Sequence, residues 1–147
     1  MEIKPILKAM LLCDMTIVEE RSRKRSLIGL FDSIGSSQFP TVHPAMSVYV
    51  QFREIEGVFD FTLELMDLEE EKVLNKAMIK RFQVQDKSRD CELVFNLMAV
   101  KFDHPGDYEF RIFVNDAVFG QKSFKVLKGW LWVYNNLLSE ILEEIAA

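Results

Sequence analysis

The chain has 147 residues and a mass of 17.1 kDa, with 49% hydrophobic residues, 28% charged residues and a net charge of −5. That length suits one domain, and area scaling gives a folded surface of roughly 7,800 Å² against roughly 25,000 Å² unfolded, enough burial for a core without metals or disulfides. Aromatics at 12%, with 12 Phe, exclude a solvated coil, and the acidic balance disfavours nucleic acid and anionic membrane as partners.

Near the N-terminus, Met10-Leu11-Leu12-Cys13-Asp14 has the look of a lipoprotein cleavage site. The apolar stretch from Ala9 to Cys13 is too short for an export segment, which needs about 7–15 apolar residues. No run reaches the ~18 apolar residues of a membrane span. The expected address is the cytoplasm, with Cys13 and Cys91 as reduced thiols buried in strands.

Leu7 to Val18 and Ser26 to Asp32 are rich in β-favouring residues, and the charged run Glu19 to Arg25 between them reads as the turn of a hairpin. Gly29 inside the second run marks a bulge or a close backbone approach. Gly35 to Gln38 reads as a loop. Phe39 to Pro44 carries two prolines, which lack the amide hydrogen a central strand needs, so it reads as an extended connection between two sheets.

Met46 to Arg53 alternates, with Met46, Val48, Val50 and Phe52 on one face and Tyr49 an apolar intruder on the other. After Gly57, Phe59 to Asp67 alternates again, with Phe59, Phe61, Leu63 and Leu65 inward. These two runs read as the clearest hairpin in the chain, in an antiparallel sheet with one wet face. Glu69 to Lys72 is a charged turn, and Val73 to Val84 a strand with the uneven pattern of a bulge. Asp86 to Asp90 is a loop and Cys91 to Leu97 a strand. Asp103-His104-Pro105-Gly106-Asp107 is the strongest turn signal. Tyr108 to Val114, a turn at Asn115-Asp116, and Val118 to Val126 complete the pattern.

About eight strands at this spacing predict an antiparallel β-sandwich over residues 1–128. Residues 129–147 change character. At 100° per residue, Trp130, Tyr134, Leu137, Leu138, Ile141, Leu142 and Ile145 fall on one face of a helix, opposite Asn135, Ser139, Glu140 and Glu143.

Leu11-Leu12-Cys13-Asp14, Ser26 to Asp32, Phe39 to Pro44, Glu92 to Leu97 and Pro105 to Phe110 occur here in that order. The set resembles a family of small bacterial domains of unknown function, over about residues 4–127. The resemblance implies a bacterial β-sandwich and brings no activity, cofactor or catalytic residue with it. The Pro-Gly-x-Tyr-x-Phe ending also resembles immunoglobulin-like modules, a likeness of fold that says little of function.

Motifs for chemistry are sparse. His43 and His104 have no ligand partners at metal spacing, so no metal site is expected. P-loop, GxGxxG and GxSxG patterns do not occur, so no cofactor and no catalytic residues are assigned. Arg21, Arg23, Lys24 and Arg25 form the one basic cluster and the candidate contact for an anion. The terminal helix is the main functional candidate, because a broad apolar stripe must bury itself in something. The expectation is a non-enzymatic interaction or structural module. Trp130, Tyr134, Leu137, Leu138, Ile141 and Ile145 would mediate self-association or dock a protein partner. The alternative is a sandwich that binds a small ligand, a sugar or a lipid, through exposed aromatics such as Tyr49 or Trp132.

Overall fold

A computed structural model describes the backbone of residues 4–146 and the side chains of 4–129 and 137–146. Nine strands precede one helix: β1 (Ile6–Val18), β2 (Arg25–Leu30), β3 (Ser33–Ser36), β4 (Thr41–Arg53), β5 (Gly57–Asp67), β6 (Lys72–Val84), β7 (Cys91–Phe102), β8 (Gly106–Val114), β9 (Ala117–Lys128) and α1 (Gly129–Ala146). They form a sandwich of a four-stranded sheet, β2-β1-β4-β7, and a five-stranded sheet, β3-β9-β8-β5-β6. Met46, Val48, Val50 and Phe52 face Phe59, Phe61, Leu63 and Leu65 across the core, as period-2 alternation on two half-buried sheets requires. Tyr108 Oη donates to the backbone oxygen of His104 at 2.6 Å, the tyrosine-corner bond of many sandwiches.

Three sequence expectations change. First, β4 and β5 do not pair: β4 lies between β1 and β7, and β5 between β6 and β8. The connection arches from one sheet to the other, with Ile55 buried in it and Glu54 and Gly57 at positive φ. The two apolar faces meet across the core because the strands sit in opposite layers. Second, the described residues form nine strands rather than about eight. Ser33–Ser36 pairs with β9, and in parallel, where a loop and an all-antiparallel fold were expected. Third, Pro44 stands inside β4, and pairing to β7 already begins at Thr41↔Phe102. Pro44 is tolerated because β1 pairs with β4 only up to Cys13↔Ser47, so β4 has a neighbour on one side there. The expected bulging of β6 is present, with register shifts opposite Phe59/Phe61 and Leu65/Met66.

The β1–β2 hairpin holds, but it does not continue the sheet. Val18 pairs with Arg25, and the β1–β4 register carried forward would set both level with Val42. Glu92 pairs with Gln51, nine residues from Val42, roughly 30 Å along a strand. Yet Arg25 Nη1 sits 3.0 Å from Glu92 Oε1, and Thr16 Oγ1 sits 2.8 Å from Ser47 Oγ. The hairpin therefore bends after Cys13 and folds back across the outer face of its own sheet as an arm. Gly29, at φ +73°, permits the bend: a Cβ there would lie 2.3 Å from Asp14 Oδ2. Cys13, Ser47 and Tyr49 lie outside the main core, yet all are buried beneath the arm.

Candidate functional site

The helix α1 leaves the end of β9 and touches β3 and β9. Leu137, Leu138, Ile141, Leu142 and Ile145 remain between 41% and 75% exposed. Of the expected contact stripe, Leu137, Leu138, Ile141 and Ile145 thus share an open surface. The side chains of Trp130 and Tyr134, like that of Trp132, lie outside the described residues. Glu140, Glu143 and Glu144 are the only charged residues in the helix, and no basic residue stands in its last turn.

The basic cluster sits at the tip of the arm. Glu19 N donates to Lys24 O at 2.8 Å and Arg23 N to Glu19 O at 3.0 Å, with Arg23 at positive φ. Arg21, Arg23 and Lys24 project from this turn into solvent. Arg25 is separated from them, because Glu92 holds it against the sheet. Tyr49 Oη donates to the other Glu92 oxygen. Burial first, then the Glu92 carboxylate, pushes the Tyr49 phenol far above its ordinary range. Tyr49 is thus covered and bonded, and is not the exposed stacking ring of the ligand-binding alternative.

Sequence reasoning missed a second open surface. Met15 pairs with Ile28, Cys13 with Leu30 and Ile17 with Ser26. On the side of the arm away from the sheet, Met15, Ile17, Ile28 and Leu30 are 44% to 60% exposed. A signal was present: Ser26 to Leu30 has apolar residues at successive positions, a pattern that needs cover on two faces.

The other chemistry-bearing residues are engaged locally. Cys13 Sγ points at Met15 O, 3.4 Å away, and is fully buried. Cys91 is half-buried, and burial pushes its thiol up. The ring of His43 lies 6.2 Å from that of Phe31. His104 Nε2 meets Asp67 Oδ2 at 2.6 Å, and its Nδ1 meets Pro105 O at 2.8 Å and Glu69 Oε2 at 3.1 Å. All three partners are acceptors only, so both ring nitrogens donate and the imidazolium form fits the site. Its pKa is raised, chiefly by the Pro105 carbonyl and further by Asp67. Burial opposes ionisation of Asp67, but bonds from Glu70 N, His104 and Glu69 N outweigh it and hold the carboxyl below its usual range. Burial pushes the Tyr108 phenol up to about 12. This cluster ties the 67–70 turn to the 103–106 turn.

Among the described residues no group of His, Cys, Asp and Glu is arranged to hold a metal ion. The cavities are open depressions. One of about 440 Å³ lies between the sandwich and the helix, lined by Asp32, Asp107, Lys125, Leu127 and Ser139. Another of about 450 Å³ lies beside His104, with Phe39 and Lys128. No helix among the described residues is long and apolar enough to cross a membrane.

Comparison with known proteins adds a family and a fold. A family of unknown function, DUF6941, matches residues 8–127. No curated protein matches the sequence. Among solved structures, the C-terminal domain of Wzt aligns with a TM-score of 0.51 at 11% identity, over 87% of this chain and 76% of that one. An immunoglobulin-like protein from Pseudomonas aeruginosa aligns at 0.43 and 12% identity, over 84% of this chain and 97% of that one. A β-glucosidase from Listeria innocua aligns at 0.44 and 11% identity over 65% of this chain, which spans 15% of that protein's length. At such identities the likeness is one of fold.

Proposed function

This chain belongs to the DUF6941 family of unknown function, and from that premise we propose that it is a non-enzymatic interaction module whose C-terminal helix mediates association. One observation carries the reading: Leu137, Leu138, Ile141, Leu142 and Ile145 stay exposed although the sandwich core is complete without them. Isolated exposed apolar residues are ordinary, but a helical stripe of five is a contact surface or an aggregation liability. Burying such side chains stabilises by ~1.5–3 kcal/mol each before the cost of ordering. The non-enzymatic part is supported by the local engagement of Cys13, which is buried, and of His43 and His104, which are partly exposed but packed on Phe31 and bonded to Asp67, respectively. The same reading sets the protein in the cytoplasm, where Cys13 and Cys91 remain free thiols.

The test is the solution mass of the full chain beside that of Leu138→Glu/Ile141→Glu, by light scattering. Both residues are exposed, so the sandwich keeps its circular dichroism. The expected result is an oligomer for the unaltered chain and the 17.1 kDa single chain for the variant. Equal masses for the two overturn the reading.

A further inference from the structure

Resting on that reading, we propose that the partner is a second copy of this chain, whose β1–β2 arm receives the helix on Met15, Ile17, Ile28 and Leu30.

Three features match the two surfaces. The first is size. Leu137 to Ile145 advances about 12 Å along a helix at 1.5 Å per residue. The arm face from the Cys13/Leu30 pair to Ile17 spans about 13 Å at 3.3 Å per residue. Each is an apolar strip of one length, and each lies open in the single chain.

The second is charge. The helix carries Glu140, Glu143 and Glu144 and no Lys or Arg. Just past Ile17, the turn of the arm carries Arg21, Arg23 and Lys24, all exposed. Glu19 and Glu20 are exposed on the same turn, the Glu19 carboxylate taken by Ser22 N, and Arg21, Arg23 and Lys24 leave the tip with one net positive charge. A helix laid with its C-terminus toward the tip sets Glu144, which flanks the apolar stripe, and its own last carbonyls beside those cations, while Glu140 and Glu143 stand on the far face.

The third is the helix's own dipole. Carboxylates in a last turn oppose the partial negative charge there. The helix supplies no cation to answer it. The arm of a neighbour supplies three. Charge matching at a rim sets orientation and on-rate, and the apolar strip supplies the affinity.

Within one chain the helix lies beside β3 and β9, in the other sheet, and the arm face stays open. Between two chains the contact can be made twice, helix to arm and arm to helix. Reciprocation closes a two-fold dimer and leaves neither strip bare.

The experiment is a mixing test on full-length chains. One variant, Met15→Glu/Ile28→Glu, spoils the arm; the other, Leu138→Glu/Ile141→Glu, spoils the helix. The expected masses are twice 17.1 kDa for the unaltered chain and 17.1 kDa for each variant alone. The equimolar mixture recovers the two-chain mass through its one intact contact. Two charge variants add orientation: Arg21→Glu/Arg23→Glu/Lys24→Glu and Glu144→Lys each weaken the dimer about threefold or more at low salt, and mixed they restore it. A dimer lost in the helix variant but kept in the arm variant overturns the arm as receptor and leaves the helix reading standing. A dimer kept in the helix variant overturns both. Two monomeric variants whose mixture stays monomeric also overturn the helix-to-arm contact.

Discussion

Arg25 and Glu92 stand 67 residues apart in the sequence and 3.0 Å apart in the fold. They sit on strands that are not neighbours, β2 and β7, at opposite edges of one sheet. Their ion pair, with Tyr49 on the second carboxylate oxygen, clasps the arm to the sheet it crosses. Glu92→Gln keeps an acceptor for Tyr49 and removes the charge that holds Arg25. The expected loss is about 1 kcal/mol in urea unfolding, the scale of a partly exposed charged bond. Hydrogen exchange at Thr16 and Leu27 is expected to accelerate, while β5 and β8 keep their protection. Uniform acceleration across both sheets would contradict a local clasp.

Gly29 sets the bend. Gly29→Ala places a side chain at φ +73° and into the Asp14 carboxylate. The expected cost is about 2 kcal/mol. Asp14→Ala/Gly29→Ala removes the two shortest contacts and leaves the 3.1 Å approach of the residue-14 Cβ and the backbone strain, so its urea midpoint should lie between those of Gly29→Ala and the unaltered chain.

His104 makes stability depend on pH with a definite sign. Its folded pKa lies above its ordinary value near 6.5. Its contribution is therefore complete below that value and disappears as pH rises through the folded pKa. Asp67, held below its ordinary 3.8, acts in the opposite sense: its contribution is present above 3.8 and is lost as pH falls through the folded pKa. Urea midpoints of the unaltered chain should fall as pH rises above 6.5. In His104→Gln that slope should vanish, while the decline in acid persists in weakened form because Asp67 keeps its backbone donors.

Cys13 reports the position of the arm. It is fully buried between the arm and the sheet. In a Cys91→Ser background, a thiol reagent is expected to modify Cys13 slowly in the unaltered arm and at least several-fold faster in Glu92→Gln. Equal rates in the two would separate arm opening from the Arg25–Glu92 pair.

Alternation was easy to read, and it placed Phe61, Leu63, Phe110 and Ile112 in the core from spacing alone. Layer assignment was harder. Two alternating runs joined by Glu54-Ile55-Glu56-Gly57 look alike whether they pair or face each other. The positive φ of Glu54 and Gly57 and the burial of Ile55 turn the chain across the sandwich, and the glycine alone marks a hairpin turn as readily as an arch. Ser33–Ser36 was missed because its pairing is parallel and held by a distant strand, β9. The helical stripe was legible from its period. The arm face was not, since its exposure follows from a bend that Gly29 permits and Glu92, far along the chain, secures.

The crossing from β4 to β5 also governs how the polypeptide comes together. Because these neighbours in sequence part company, β4 waits for β7 and β5 waits for β8. The four-stranded layer has its β1–β4 ladder by Arg53 but lacks β7 until residues beyond 90 have been made, the five-stranded layer holds only β5–β6 until β8 emerges, and β3 has no partner until β9 emerges. Pairings this remote raise the entropy of closure and slow the search. A nascent chain cut short at Arg53 holds β4 with only β1 to shield it, its Val48, Val50 and Phe52 bare. The sandwich is thus completed late, when β7, β8 and β9 join ladders already begun, and the arm and the helix, at its two ends in sequence, bracket that event.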